Sequence, residues 1–533
     1  MKKARRFTPF LSLLFVLLFA LSMMTACGDS GDVSEPEDSG VPNISASTTD
    51  SAGDATTTGV AGDGTTTEGA ADGTTTGTNA QAGTTTGKKP TGNQTTTTAN
   101  KVLGNDNKTD MKGYVFSIAS TFLPNELGKN ATLFEELFFE RKAQVEKEYN
   151  CKINIINMYP DMATLKPYIT AGKKIADLVE LGPAQIIAAA ELGYIQPWNN
   201  VGPIDVKDAR WPEPSDTLGV YEGKTYGLSF YRPPEVRYCV IFNKTLLKSY
   251  NINPDSLYEA VDKKTWNFDM MRNLAIQCTK DNDGDGTMDT YGIIGPPSYI
   301  GYGLLKANNA SLATKTNGKI SVSINSQAAK NALNYYYDLV NKDKVVYTAN
   351  AALGKQDSYN KVNELKWIRE FLNGKAAFML YESWVINQQV KPGAGNMEYG
   401  MLPYPMGPDA KNYITSADNS RLLCLTSTNK EKEKTATIFN ALAYPVDGED
   451  GLDYWYDIQA DYFQNNDKRS LDMYKLCLQT SVTDIGAASG DLFYGFFSSA
   501  VAETVYAHMA TPNEKLDSMI GMYDNALQAI FKK

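Results

Sequence analysis

CKINIINMYPDMATLKPYITAGKKIADLVELGPAQIIAAAELG, residues 151–193, is the most telling run of this chain. Ile153, Ile155 and Ile156 mark a strand over Cys151–Met158. Asp161–Ala171 reads as a helix stopped by Gly172. Ala176–Leu181 reads as a second strand, and Gln185–Leu192 as a helix closed by Gly193 in the left-handed C-cap conformation. Strands and helices alternating at this spacing predict a mainly parallel, helix-covered sheet.

The same pattern extends to both sides. Tyr114–Ala119 is an earlier strand, and Thr132–Glu148 a helix whose Leu133, Leu137, Phe138, Arg141 and Val145 share one face. Tyr221–Leu228 signals a hairpin with glycine at its turn, and Arg237–Phe242 a strong strand. Thr265 is expected to cap a helix running to Thr279, with Trp266 first inside it. Further helices are expected over Ala328–Val340, up to Asn373, over Glu431–Ala443 and over Asn513–Phe531, with a strand at Ala376–Leu380.

The N-terminal part differs in kind. Lys2, Lys3, Arg5 and Arg6 precede the apolar run Phe7–Leu21, too short to span a membrane, so residues 1–26 read as a secretory signal. Met24-Thr25-Ala26-Cys27 resembles a bacterial lipobox, with Met24 where leucine is usual. That resemblance makes Cys27 a lipidated N-terminus bearing a diacylglyceryl thioether and acyl chains such as palmitate, enough for stable anchoring. Residues 27–108 are rich in Gly, Ser and Thr, with recurrent Thr triplets and almost no large apolar side chains. Such a stretch buries too little surface to fold and reads as a tether. About 80 flexible residues span about 50 Å root-mean-square.

The net charge is −10, and loss of the four cations of residues 1–26 takes it to −14. Nucleic acid and anionic surfaces are therefore poor partners. Cys151, Cys239, Cys278, Cys424 and Cys477 are odd in number and widely spaced, and read as buried core residues rather than a disulfide or zinc framework. The single histidine, His508, has no nucleophile motif nearby, so no triad is expected.

Five segments then carry a family likeness. They are Tyr221–Leu228, Phe242-Asn243-Lys244, Thr265-Trp266 with Asp281–Gly286 and Tyr291-Gly292, Phe371–Met379 with Trp384, and Pro405–Pro408. In this order, over about residues 112–445, they resemble motifs of the bacterial extracellular solute-binding proteins of ABC importers, the maltose-binding-protein-like group. The resemblance implies an α/β fold of two lobes joined by crossing strands (the type II periplasmic-binding-protein fold), with a ligand in the cleft. On this reading 109–533 is the solute-binding domain. Its N-lobe takes about 110–232 and 410–455, and its C-lobe about 238–402 and part of 456–533. The implied partners are a carbohydrate, permease subunits and the membrane through the lipid, with the domain monomeric and no enzyme.

Sugar recognition asks for flat aromatic faces and planar polar groups. Trp384 matches the family's cleft tryptophan. Tyr231 and Arg232 stand at the first expected crossover, beside Pro233-Pro234, and Asp418 just past the return. Tyr299 and Tyr302 are expected in an exposed Gly-rich loop, and Trp455 near the cleft. Trp198 and Trp266 are assigned to packing, while Trp211 has no assignment. Asp281, Asp283, Asp285 and Asp289 occupy positions 1, 3, 5 and 9 of a Ca²⁺ loop, with Gly286 at 6 and the Thr287 carbonyl at 7. Gly292 stands where an EF-hand has glutamate, so the loop resembles the nine-residue version of some sugar-binding proteins, whose shell a distant carboxylate completes. The alternatives are a sensory or adhesive lipoprotein on the same fold and a surface glycoside hydrolase using paired carboxylates.

Overall fold

A computed structural model describes residues 109–128, 133–208, 211, 218–229, 235–348, 361–416, 420–443, 459–460, 462–489 and 501–531. Among the expectations above, Cys27, Tyr231, Arg232, Asp418 and Trp455 lie outside the described residues.

The first lobe is built on β1 (Tyr114–Ser120), β2 (Cys151–Asn157), β3 (Leu178–Leu181), β4 (Ile195–Gln196) and β7 (Gly227–Leu228). A short hairpin, β5 (Val220–Tyr221) and β6 (Lys224–Thr225), precedes β7. β1 is apolar and buried along most of its length, and it pairs in parallel with both β2 and β3. β2 alternates instead: Cys151, Ile153 and Ile155 point inward while Lys152 and Asn154 are exposed, as an edge strand requires. Helices α1 (Leu133–Tyr149), α2 (Met162–Thr170) and α3 (Pro183–Glu191) return the chain between strands. Asp161 caps α2 by accepting from the Thr164 N–H at 2.7 Å.

The second lobe begins with β8 (Cys239–Asn243), α4 (Lys244–Ser249), α5 (Asp255–Asp262), α6 (Phe268–Cys278), β9 (Tyr291–Ile294) and α7 (Pro297–Ala307). It continues through the hairpin β10 (Ala313–Thr316) and β11 (Lys319–Val322), α8 (Gln327–Asn341), α9 (Lys361–Leu372), β12 (Ala376–Tyr381) and β13 (Tyr399–Pro403). Its sheet runs β13-β8-β12-β9, and only β12 and β9 are parallel. A mainly parallel sheet therefore holds for β1–β3 but not for this lobe.

The chain then re-enters the first lobe as β14 (Leu422–Thr426), antiparallel to β3 with Leu422 opposite Leu181. α10 (Lys432–Leu442) covers the α1 face, where Phe439 stacks on Trp198 at 4.7 Å and on Trp211 at 5.5 Å. α11 (Lys468–Gln479), a 3-10 turn at Ile485–Ser489 and α12 (Pro512–Phe531) follow, with short helical turns at Gln464–Asn466 and Ala502–Tyr506. Ala488 of the 485–489 turn packs on Ala184 and Ala188 of α3, joining the lobes.

Two local expectations are corrected. The helix after Trp266 is capped by Asn267, whose side chain accepts from the Met270 N–H at 2.9 Å, so Thr265 and Trp266 stand outside it. Trp266 is fully buried and donates its indole N–H to Pro403 O. The segment holding Tyr299 and Tyr302 is helix α7, not an exposed loop. Gly303 allows close packing: a Cβ there would lie 2.3 Å from the Tyr404 ring.

Candidate functional site

Parallel strands present their carboxyl ends at one edge of a sheet, where α/β proteins place their ligands. In the first lobe the turn after β1 is shaped by Ser120, whose hydroxyl accepts from the Phe122 and Leu123 N–H groups at 2.9 and 2.8 Å and donates to buried Glu180. Phe122 is consequently left 42% exposed, and Tyr159, just past β2, 45% exposed. The Arg421 guanidinium lies over both rings, 4.5 Å from that of Phe122 and 5.7 Å from that of Tyr159. Gln185, on the first turn of α3, donates to the Tyr159 hydroxyl at 3.3 Å and accepts from Arg421 at 3.4 Å. Two aromatic faces, an amide and a guanidinium thus share the carboxyl edge. None of these four was picked out from the sequence. For Phe122 and Tyr159 the available signal was a position two residues past a strand end, while Gln185 lies four residues past β3 and Arg421 one residue before β14.

Both crossings leave from this edge. β7 leads toward Val236 and Arg237, and the return reaches Ser416 before β14. The two run side by side, with Arg237 N–H donating to Ser416 O at 2.8 Å. Trp384 follows β12 and sits beside the crossing: Ser383 Oγ accepts from Val236 N–H at 3.0 Å, and Ser383 N–H donates to Val236 O at 2.9 Å. Trp384 is half-buried and its indole N–H donates to Glu382. Glu382 in turn pairs with Arg237 at 3.5 Å, both nearly buried.

Tyr299 and Tyr302 are interior. Tyr299 is 6% exposed, accepts from Arg237 at 3.3 Å and packs on Tyr381 at 4.8 Å. Tyr302 is 1% exposed and donates to Asp484 at 3.2 Å. Neither offers the open ring face expected for it, because α7 turns both toward Tyr238.

The acidic loop lies between α6 and β9, closed at its base by Lys280 and Thr290. Asp281 accepts from the Gly284 and Gly286 N–H groups at 2.7 and 2.9 Å, and the latter bond above all holds its carboxyl below the usual range. Gly284 and Gly286 have φ of +77° and +88°, which glycine adopts freely. Carboxylate oxygens of Asp281, Asp283 and Asp285 all lie within 4.8 Å of one another, while Asp289 turns back to accept from the Asn282 N–H. This donor set of converging hard oxygens fits Ca²⁺. Position 12 has no room for a ligand: a Cβ on Gly292 would stand 2.3 Å from that of Ala275.

His508 is exposed, with Nδ1 3.4 Å from the Tyr337 hydroxyl. All five cysteines named above are free and buried. Burial pushes the Cys151 thiol up to about 11 and that of Cys278 to about 12. Among the described residues no helix is long and apolar enough to cross a membrane.

No curated protein matches the chain by sequence. Solved structures match its fold. The GacH receptor of Streptomyces glaucescens, studied unliganded and with acarbose, is similar at 16% identity and TM-score 0.52, over 78% of this chain and 99% of that one. A cyclo/maltodextrin-binding protein complexed with maltotetraose is similar at 15% identity and TM-score 0.54, over 79% and 99%. A substrate-binding protein of an ABC transporter from Listeria monocytogenes, in complex with cycloalternan, is similar at 15% identity and TM-score 0.52, over 80% and 100%. The family model described as bacterial extracellular solute-binding protein matches residues 126–444, more than half of the chain. With its two α/β lobes and paired crossing strands, the chain belongs to that family and has the two-lobed periplasmic-binding-protein fold.

Proposed function

We propose that this protein is a cell-surface lipoprotein that binds an extracellular carbohydrate, an oligosaccharide, between its lobes and delivers it to the permease of an ABC importer. The observation that carries the reading is the partly exposed pair Phe122 and Tyr159 at the carboxyl edge, with Arg421 over them and Gln185 beside them. Pyranose C–H faces stack on such rings, and the guanidinium and amide suit hydroxyl groups. Trp384 is the counterpart from the second lobe. Tyr231, Arg232 and Asp418, by their sequence positions between β7 and Val236 and between Ser416 and β14, are assigned to this set, and Trp455 with them. Fold neighbours solved with maltotetraose and cycloalternan support an oligosaccharide as ligand.

The role is binding rather than catalysis. Ca²⁺ held by Asp281, Asp283 and Asp285, with Thr287 and Asp289, would pin the loop between α6 and β9. Cys27 would carry the lipid, and residues 27–108 the tether.

A thermal-shift panel of oligosaccharides differing in linkage tests the reading. A ligand at a hundredfold its Kd stabilises by about 2.7 kcal/mol. One class of sugar raising the melt supports it. A shift with peptides but with no sugar would replace the carbohydrate and keep the fold.

A further inference from the structure

The turn Tyr221-Glu222-Gly223 has a use beyond shaping a hairpin. Lys315, on β10 of the second lobe, reaches across to the first. Its Nζ lies 2.9 Å from Glu191 Oε2 at the end of α3 and 2.9 Å from Glu222 Oε1, and it donates to the Tyr221 hydroxyl. The ammonium also sits 4.7 Å from the centre of the Tyr221 ring, and Tyr221 O–H donates to Glu191 at 2.5 Å. Glu222 and Gly223 have φ of +48° and +74°, which carries the acid to the tip of the turn.

The sheet order sets what this cluster does. Phe122 and Tyr159 stand beyond β1 and β2, at one side of the order β2-β1-β3-β14. The crossings leave from β14 and β7. The Tyr221 hairpin leads directly into β7, and Glu191 closes α3 at its end away from the carboxyl edge. The aromatic pair and the cluster therefore lie at opposite edges of the first lobe, which is joined to the second through the crossings. A rigid rotation about them that narrows one gap widens the other.

We propose that Lys315, Glu191, Tyr221 and Glu222 form a clasp that opposes closure of the lobes, so that ligand affinity is set partly by its strength. The affinity half of this statement rests on a ligand binding between the lobes; the conformational half does not.

The test uses the full chain with dyes at Leu127 and Gln388, exposed residues on the two lobes, and single-molecule energy transfer without ligand. Lys315→Met is expected to shift the population toward shorter distances, with the fold intact by circular dichroism. The paired reversal Lys315→Glu with Glu222→Lys should return it part of the way. An unchanged distance distribution in a folded Lys315→Met overturns the proposal. With maltotetraose as probe, Lys315→Met is expected to bind about two- to tenfold more tightly. Unchanged or weaker binding overturns it. A distance shift without maltotetraose binding upholds the clasp and counts against that sugar.

Discussion

Asp484 offers a sharp test of how the second lobe is held. It is 1% exposed and ion-pairs with Lys306, itself 2% exposed, at 3.6 Å. It also accepts from Tyr302 O–H at 3.2 Å, Leu312 N–H at 2.9 Å and Gly486 N–H at 3.0 Å. One carboxylate thus fixes α7, the start of the hairpin that carries Lys315, and the turn at 485–489. Asp484→Asn keeps an acceptor for the N–H groups but removes the charge facing Lys306. Breaking a buried pair from one side costs about 3–5 kcal/mol. At about 2.1 cal/mol/K per residue over about 400 residues, the melting entropy is about 0.8 kcal/mol/K, so Tm should fall by about 4–6 °C. Calorimetry measures this directly. Adding Lys306→Met should restore most of the loss, because an apolar side chain of similar length needs no counter-charge. A Tm within about 1 °C of the parent for Asp484→Asn, or no recovery in the double variant, would refute the reasoning.

Other outcomes follow from the same geometry. Chelation with EDTA should lower the melt and Ca²⁺ should restore it, while Asp281→Asn should abolish the response; an EDTA-insensitive melt removes the metal. Phe122→Ala and Trp384→Ala should each weaken sugar binding by about 1–3 kcal/mol while leaving the melt of the free protein nearly unchanged, measured by titration and scanning fluorimetry. Burial disfavours the thiolate, so Cys151, Cys239, Cys278, Cys424 and Cys477 should resist a thiol reagent at pH 8 and react once guanidinium unfolds the chain; rapid labelling of native protein at any of them would contradict the packing.

Much of the first lobe was legible because its signals are local. Strand, glycine stop and apolar strand recur at close spacing from Tyr114 to Gly193, and each element forms within a residue or two of its expected place. What resisted did so for reasons that lie in tertiary contacts. Gly301 and Gly303 made α7 read as a loop, but Tyr404 packs against the missing side chain of Gly303. Trp211 had no sequence assignment, yet it stacks on Phe439, which is far away in the chain. Phe122 and Tyr159 stood out little among many aromatics; only strand pairing shows that β1 and β2 end together beneath them. Likewise Lys315 is one lysine among many until the hairpin carries it to Glu191 and Glu222.

The central claim is that a carbohydrate binds between the lobes at the Phe122–Tyr159 edge. Isothermal titration of the purified protein against a panel of oligosaccharides tests it most directly, repeated with Phe122→Ala and Trp384→Ala. The account predicts one-to-one binding of one saccharide class, weakened in both variants. Binding of no saccharide, or binding untouched by both substitutions, would contradict it.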